Sequence, residues 1–275
     1  MANFNIADLK ALREQLGTGM SDTKAALVEA DGDIEKATEI LRLKGAKGNA
    51  KRADRSTSEG LIAAREGEGT ATMIALACET DFVAKNEKFV ALADRVVDAA
   101  AAVGANSVDE GLNAPLDGKT VREVIEEQAA TIGEKLELGR AATVAGDKFA
   151  VYLHRTSKDL PPQVGVVLAY SGDDAETARA VAQHIAMFAP EHINRDEVPA
   201  DVVEKERELA AEIARGEGKP EAALPKIVEG RLTGFFKQTV LLDQAYARDS
   251  KQSVGQVVEA AGVTVTGFAR FKIGS

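Results

Sequence analysis

Residues 72–100 read TMIALACETDFVAKNEKFVALADRVVDAA. The apolar run Thr72 to Cys78 predicts a strand. Beyond Glu79-Thr80-Asp81-Phe82-Val83, the residues Phe89, Leu92, Ala93, Val96, Val97 and Ala100 recur on one face of a long helix. Upstream, Leu61 to Arg65 is a second strand-like run, and Gly67-Glu68-Gly69 between the two predicts a hairpin. Strand, strand, helix is an α+β unit.

Downstream, Thr120-Val121-Arg122-Glu123 is a capping box, followed by Val124, Ile125, Gln128 and Ile132 at amphipathic spacing. From Leu136 the pattern recurs, with strand runs around Arg140 to Val144, Phe149 to His154 and Val164 to Tyr170. A helix from about Asp174 to Phe188 then carries Ala178, Val181, Ile185 and Phe188. A second sheet-plus-helix unit is expected there, related to the first in architecture rather than in residue identity. Pro199 to Phe236 predicts a helical hairpin: Val202, Val203, Leu209 and Ile213 on one helix, a break at Gly216 to Pro220, and Leu224, Ile227, Val228 and Leu232 on the next. A short helix at Val254 to Ala260 and a strand at Val263 to Ile273 close the chain, the strand being placed to complete the second sheet.

Upstream of the first unit, Ile6, Leu9, Leu12 and Leu16 share one helical face that Gly17 ends. Ser21 is read as the cap of a second helix with Ala25, Leu27 and Val28, and Asp33 as the cap of a third with Ile34, Ala37, Ile40 and Leu41, ended by Gly45. Lys44 to Arg55 lacks apolar periodicity and carries five basic residues against Asp54, which reads as a tethering linker. Its rival, a basic RNA-binding arm, lacks an aromatic to stack a base. The division expected is 1–45, three helices; 46–56, linker; 57–135, first core subdomain; 136–198 with 237–275, second core subdomain; and 199–236, helical-hairpin insertion.

The chain has 275 residues, 44 acidic against 34 basic, a net charge of -10, a pI near 5.0, and 45% hydrophobic residues. That apolar content suffices for a core and excludes wholesale disorder. The acidic balance disfavours phosphate backbones and acidic membranes as partners. Cys78 stands alone, so no internal disulfide forms, and the start MANFNIADLK lacks a basic region followed by an apolar run. A cytoplasmic chain that crosses no bilayer is expected.

Catalytic signatures are missing. Gly118-Lys119-Thr120 resembles the end of a phosphate loop, but the preceding glycine, Gly111, is seven positions back where the motif requires five. His154, His184 and His192 have no ligand-spaced cysteine or carboxylate beside them and read as structural or surface residues. No G-x-S-x-G occurs, and Cys78 in an apolar strand reads as a small core residue. Glu79 and Asp81 would share a face as an acid/base pair only if the strand ran on through Thr80. The feature needing explanation is Thr80-Asp81-Phe82-Val83. In the plainer reading Thr80 or Asp81 caps a helix and Phe82 packs inside. In the functional one Phe82 projects as an aromatic anchor with Asp81 beside it.

Several stretches resemble the elongation factor Ts family, guanine-nucleotide exchange factors for elongation factor Tu. They are Leu9-Lys-Ala-Leu-Arg13, Gly17-Thr-Gly-Met20 through Leu27, Gly32-Asp33, Thr80-Asp-Phe-Val-Ala-Lys85, His184-Ile-Ala-Met187, Val228-Glu-Gly-Arg231, Val254-Gly-Gln256 and Thr266-Gly-Phe-Ala-Arg-Phe271. They stand in family order across nearly the whole chain, and the resemblance favours the functional reading of Phe82. It implies an N-terminal ubiquitin-associated-like domain, two related α+β subdomains and an inserted helical hairpin. It also implies that Asp81 and Phe82 enter the partner GTPase near its nucleotide and magnesium site, Phe82 as a wedge, with Thr80 and Val83 as partner-binding residues beside them. Gly17, Thr18, Gly19 and Met20 would contact a helix of the same domain, the second core subdomain would grip another domain, and His154 would add a further contact. No cofactor, no nucleic acid and no membrane are implied, and on a homo-oligomer through 199–236 the sequence is silent. Some family members continue into a C-terminal helical module, so a contact by that route is not expected here. The rival functions are a ubiquitin-associated-like adaptor and an RNA-associated translation protein without exchange activity.

Overall fold

The computed structural model describes residues 3–274. Three helices come first: α1, Ile6–Leu16; α2, Met20–Glu29; and α3, Ile34–Arg52. Their small core is Leu9, Leu12, Ala26, Leu27, Ala30, Ala37 and Leu41. Ile6 and Val28 stay exposed, so Ala26 and Leu27 supply the inner face of α2. Gly17 ends α1 with φ of 63° and Asp33 caps α3 through Glu35 and Lys36. Ser21 caps nothing: α2 already begins at Met20, with Gly19 at the capping position.

The expected linker 46–56 is largely helix, because α3 runs through Gly45 and Gly48 to Arg52. Each glycine costs roughly 0.8–1 kcal/mol in a helix interior, and contacts with a later helix offset it. A Cβ on Gly45 would lie 2.9 Å from the Cβ of Ala130, so the glycine permits close helix approach.

Two three-stranded antiparallel sheets follow, and their inner faces pack together. The first is ordered β1 (Glu59–Glu66), β2 (Thr70–Cys78), β5 (Leu136–Ala145). The second contains β6 (Lys148–His154), β7 (Val164–Ser171) and β10 (Thr264–Lys272), with β7 central. Each central strand is buried on both faces. In β2, Ile74, Leu76 and Cys78 point to the helices of the first unit, while Ala71, Met73 and Ala75 point to the other sheet. In β7, Val166, Leu168 and Tyr170 face the second unit's helices and Val167 faces the intersheet layer. The sheets approach so closely that a side chain at Gly165 would run into Ile62 and Met73.

The strand around Arg140 to Val144, expected to open the second unit, instead completes the first sheet beside β2. The cause is packing: Leu136, Leu138 and Ala141 enter the first core. The register shift between Ala75 and Leu76 places Gly139 out of step, which keeps Leu138 and Ala141 on the same face. The two units then correspond strand for strand. The first unit continues after β2 with a single turn, α4 (Asp81–Ala84), the long α5 (Glu87–Val103), α6 (Val108–Asn113), a two-residue hairpin of β3 (Pro115–Leu116) and β4 (Lys119–Thr120), and α7 (Val121–Ile132). The second has α8 (Ala175–Phe188), the hairpin α9 (Ala200–Gly216) and α10 (Leu224–Thr239), the short β8 (Ala245–Tyr246) and β9 (Asp249–Ser253), and α11 (Val254–Ala260) before β10. Capping boxes open both α7 (Thr120/Glu123) and α11 (Ser253/Gln256).

Gly118-Lys119-Thr120 is thus a tight hairpin turn, with Asp117 and Gly118 at positive φ, followed by a cap. In the α9–α10 hairpin the contact is made by Ala210, Val228 and Leu232. Leu209 and Ile213, read as apolar positions of the first helix, remain exposed, while the small Ala210 and Ala214 are buried. No helix among the described residues is long and apolar enough to cross a membrane.

Candidate functional site

The turn that joins β2 to α5 is built from both sides. Cys78 ends β2 wholly buried; burial pushes its thiol up to about 12, which leaves it protonated and inert, and Sγ lies 3.2 Å from Thr80 O. Thr80 is the N-cap of α4, its Oγ1 accepting from Val83 N at 3.4 Å. The same residue is anchored from outside by Glu134, whose carboxylate accepts from Thr80 N at 3.1 Å and from Thr80 Oγ1 at 2.7 Å. Glu79 accepts from Lys135 N at 2.6 Å and pairs with Arg55 at 3.2 Å, and the Lys135 backbone bond first, then Arg55, hold its carboxyl below the ordinary range. Glu79 is therefore tied into this framework, and β2 stops at Cys78, so no Glu79/Asp81 acid/base pair forms.

On this base α4 makes one turn. Ala84 is wholly buried and Val83 packs against the first core. Asp81 and Phe82 take the outer side. Asp81 Oδ2 accepts from Lys85 Nζ at 2.6 Å, which lowers the Asp81 pKa and raises that of Lys85. The Lys85 ammonium also lies 5.6 Å from the centre of the Phe82 ring. Phe82 itself is 80% exposed, and Asn86 restarts the helix by accepting from Lys88 N. Thr80 caps as anticipated, but Phe82 does not pack inside. The core aromatic is Phe89, one element later, at 0% exposure.

The Gly17–Met20 segment forms the turn from α1 to α2. Thr18 Oγ1 and Thr23 Oγ1 are 2.7 Å apart, Thr23 Oγ1 donates to Gly19 O, and Met20 stands half exposed. His154 ends the edge strand β6, with Nδ1 2.9 Å from Tyr152 OH. Gly17 lies against Thr131 of α7, whereas no contact joins Gly17–Met20 or His154 directly to Phe82 among those described. His184 is wholly buried; Nδ1 accepts from Ala247 N at 3.2 Å, so Nε2 donates to Gln244 Oε1 at 2.8 Å. Burial lowers its pKa.

Sequence reasoning missed Glu134, which nothing in its spacing links to Thr80. It also placed Phe188 on the inner face of α8. That ring stacks on His184 with centroids 4.7 Å apart but stays half exposed, and Met187 beside it is 71% exposed. The basic stretch 44–55 is partly spent within the chain: Lys44 pairs with Asp22, Arg52 bonds to Asn49, and Arg55 pairs with Glu79. That weakens its reading as an RNA-binding arm.

The sequence profile described as Elongation factor TS matches residues 79–275. Among curated relatives, Elongation factor Ts of Leifsonia xyli subsp. xyli is 67% identical over 276 residues, covering all of both chains. Elongation factor Ts of Clavibacter sepedonicus is 66% identical with the same full coverage, and that of Saccharopolyspora erythraea 57% identical over all of this chain and 99% of the relative. Identity at this level over the whole length, with the family profile covering the Phe82 turn and everything after it, shows that the chain belongs to the elongation factor Ts family of translation factors.

Proposed function

We propose that this chain promotes release of GDP from elongation factor Tu, with Asp81 and Phe82 entering the GTPase beside its nucleotide and magnesium site. The observation that carries the reading is Phe82, exposed on a turn whose every other member is hydrogen-bonded or buried. An exposed Phe buries little on folding, yet the backbone that carries it is anchored on both sides, and such preorganisation lowers the entropy lost on binding.

The mechanism uses binding energy alone. Burying a Phe side chain contributes about 1.5–3 kcal/mol, equivalent to roughly a tenfold to hundredfold preference for a partner state that has room for it. If the nucleotide-free state provides that room, the factor binds it better than the GDP state, and linkage obliges GDP to be weakened by the same ratio. Asp81 brings a carboxylate held ionised by Lys85 toward a region of metal and phosphate. Gly17–Met20 supplies a second contact on the GTPase domain, and His154 a further one. The exposed Met187 and Phe188 support a grip by the second unit on another domain of the partner. GTP then binds and displaces the factor unchanged.

The test is release of labelled GDP from purified elongation factor Tu. Substoichiometric amounts of the chain should accelerate it, because each molecule is freed when nucleotide rebinds. A rate unchanged at every concentration contradicts the proposal.

A further inference from the structure

The end of α7 touches both of the turns discussed above. Thr131 Oγ1 is shared between Glu127 O at 3.0 Å and Leu16 O at 3.3 Å. A Cβ on Gly17 would lie 2.9 Å from Thr131 Cγ2, so the close approach of α1 and the left-handed turn both require glycine. One helical turn away, Asn49 Nδ2 donates to Glu126 O at 2.8 Å, and Gly45 sits against Ala130. Arg52 Nη2 reaches Asn49 Oδ1 at 2.8 Å and Ala129 O at 3.4 Å, placing a cation at the negative end of α7. Its Nε is buried without a partner, so the guanidinium is sunk in this seam rather than lying on the surface. Three residues beyond Thr131, Glu134 holds Thr80.

We infer that the end of α7 and the two residues after it, 129–134, form a positioning element that fixes the Gly17–Met20 turn and the Phe82 turn at one spacing, so that both meet the GTPase in a single encounter. This rests on the exchange function proposed above. A three-helix unit on a loose tether would find its contact only part of the time, whereas a docked one presents it at full effective concentration. The unbroken α3 removes most of the tether and the seam removes its swing. Thr131 and Glu134 are the positioning residues, since each touches the supporting side of one turn, while Ala129 and Ala130 hold α3 against α7.

Ala130→Arg is the discriminating variant. Ala130 is exposed on α7, so α7 tolerates the change, but the longer side chain meets Gly45 and lifts α3. Spin labels at Glu29→Cys and Asp94→Cys, both exposed, report the spacing, while the buried Cys78 stays unlabelled. The unsubstituted seam should give one narrow distance distribution, Ala130→Arg a broad one, and the conservative Ala130→Ser a narrow one again. In GDP release, Ala130→Arg should raise the half-saturating factor concentration about tenfold with the maximal rate kept, because Thr80 and Phe82 remain anchored. Asn49→Ala, which adds no bulk, should shift it the same way by a smaller factor. A broad distribution with the seam intact, a narrow one in Ala130→Arg, or an unshifted half-saturation overturns the inference while leaving the exchange function standing. Absence of acceleration by the unsubstituted chain removes the exchange function itself and this inference with it.

Discussion

The two sheet-plus-helix units differ most where the central strand passes into the long helix. In the second, β7 ends at Ser171, Gly172 turns, and Asp174 caps α8 directly by accepting from Thr177 N. In the first, the same junction carries an extra helical turn, α4, between Cys78 and the Asn86 cap of α5. One architecture closes both ways, so the Phe82 turn is not required to join strand to helix. What it adds is an exposed aromatic beside an ion pair, which the fold does not require and which the proposed exchange function would use.

The comparison can be broken first at the two phenylalanines. Phe89→Ala, at a wholly buried position in the first core, should cost about 3–5 kcal/mol, read as a lowered denaturation midpoint. If Phe89→Ala were neutral, the division between folding and binding aromatics would fail. Thr80→Ala removes a cap and leaves Glu134 without its hydroxyl partner; a loss of about 0.5–2 kcal/mol is expected, together with slower GDP release as the turn loosens. Unchanged exchange in that variant would show that rigidity of the turn is unimportant.

The second unit has a buried histidine in its core, whereas the first contains no histidine. The pKa of His184 is depressed in the folded chain, so the folded state binds fewer protons than the unfolded one near and below pH 6.5. Its contribution is intact above that pH and is lost as pH falls through and below it, with a slope of at most about 1.4 kcal/mol per pH unit for one proton. Urea midpoints between pH 7.5 and 5 should show this fall, and His184→Gln should flatten it. An equal slope in both would place the titration elsewhere. The smallest effect is expected at Asp81. Its pair with Lys85 is exposed and screened by solvent, so Asp81→Ala should leave the denaturation midpoint almost unchanged while slowing exchange measurably. A stability loss as large as that of Thr80→Ala would show that Asp81 serves the fold.

Local chemistry made much of this legible: the strand, hairpin and helix of residues 61–103, the Thr120/Glu123 cap, and Thr80 as a helix start all rest on neighbours within one turn or one hairpin. Long-range partners were not legible. The pairing of β5 with β2 depends on which core receives Leu136 and Leu138, and strand pattern alone is compatible with either sheet. Gly45 looked like a helix end because glycine is unfavourable in isolation, and only the nearness of Ala130 explains its place inside α3. Glu134 lies 54 positions from Thr80, so its role appears only once α7 has been packed.

The most direct measurement compares the unsubstituted chain with Phe82→Ala in release of labelled GDP from elongation factor Tu, with the denaturation midpoint of each determined alongside. The midpoints should agree within about 0.5 kcal/mol, as for an exposed substitution, and Phe82→Ala should lose most of the acceleration. A Phe82→Ala chain that is folded and releases GDP as fast as the unsubstituted one would contradict the account.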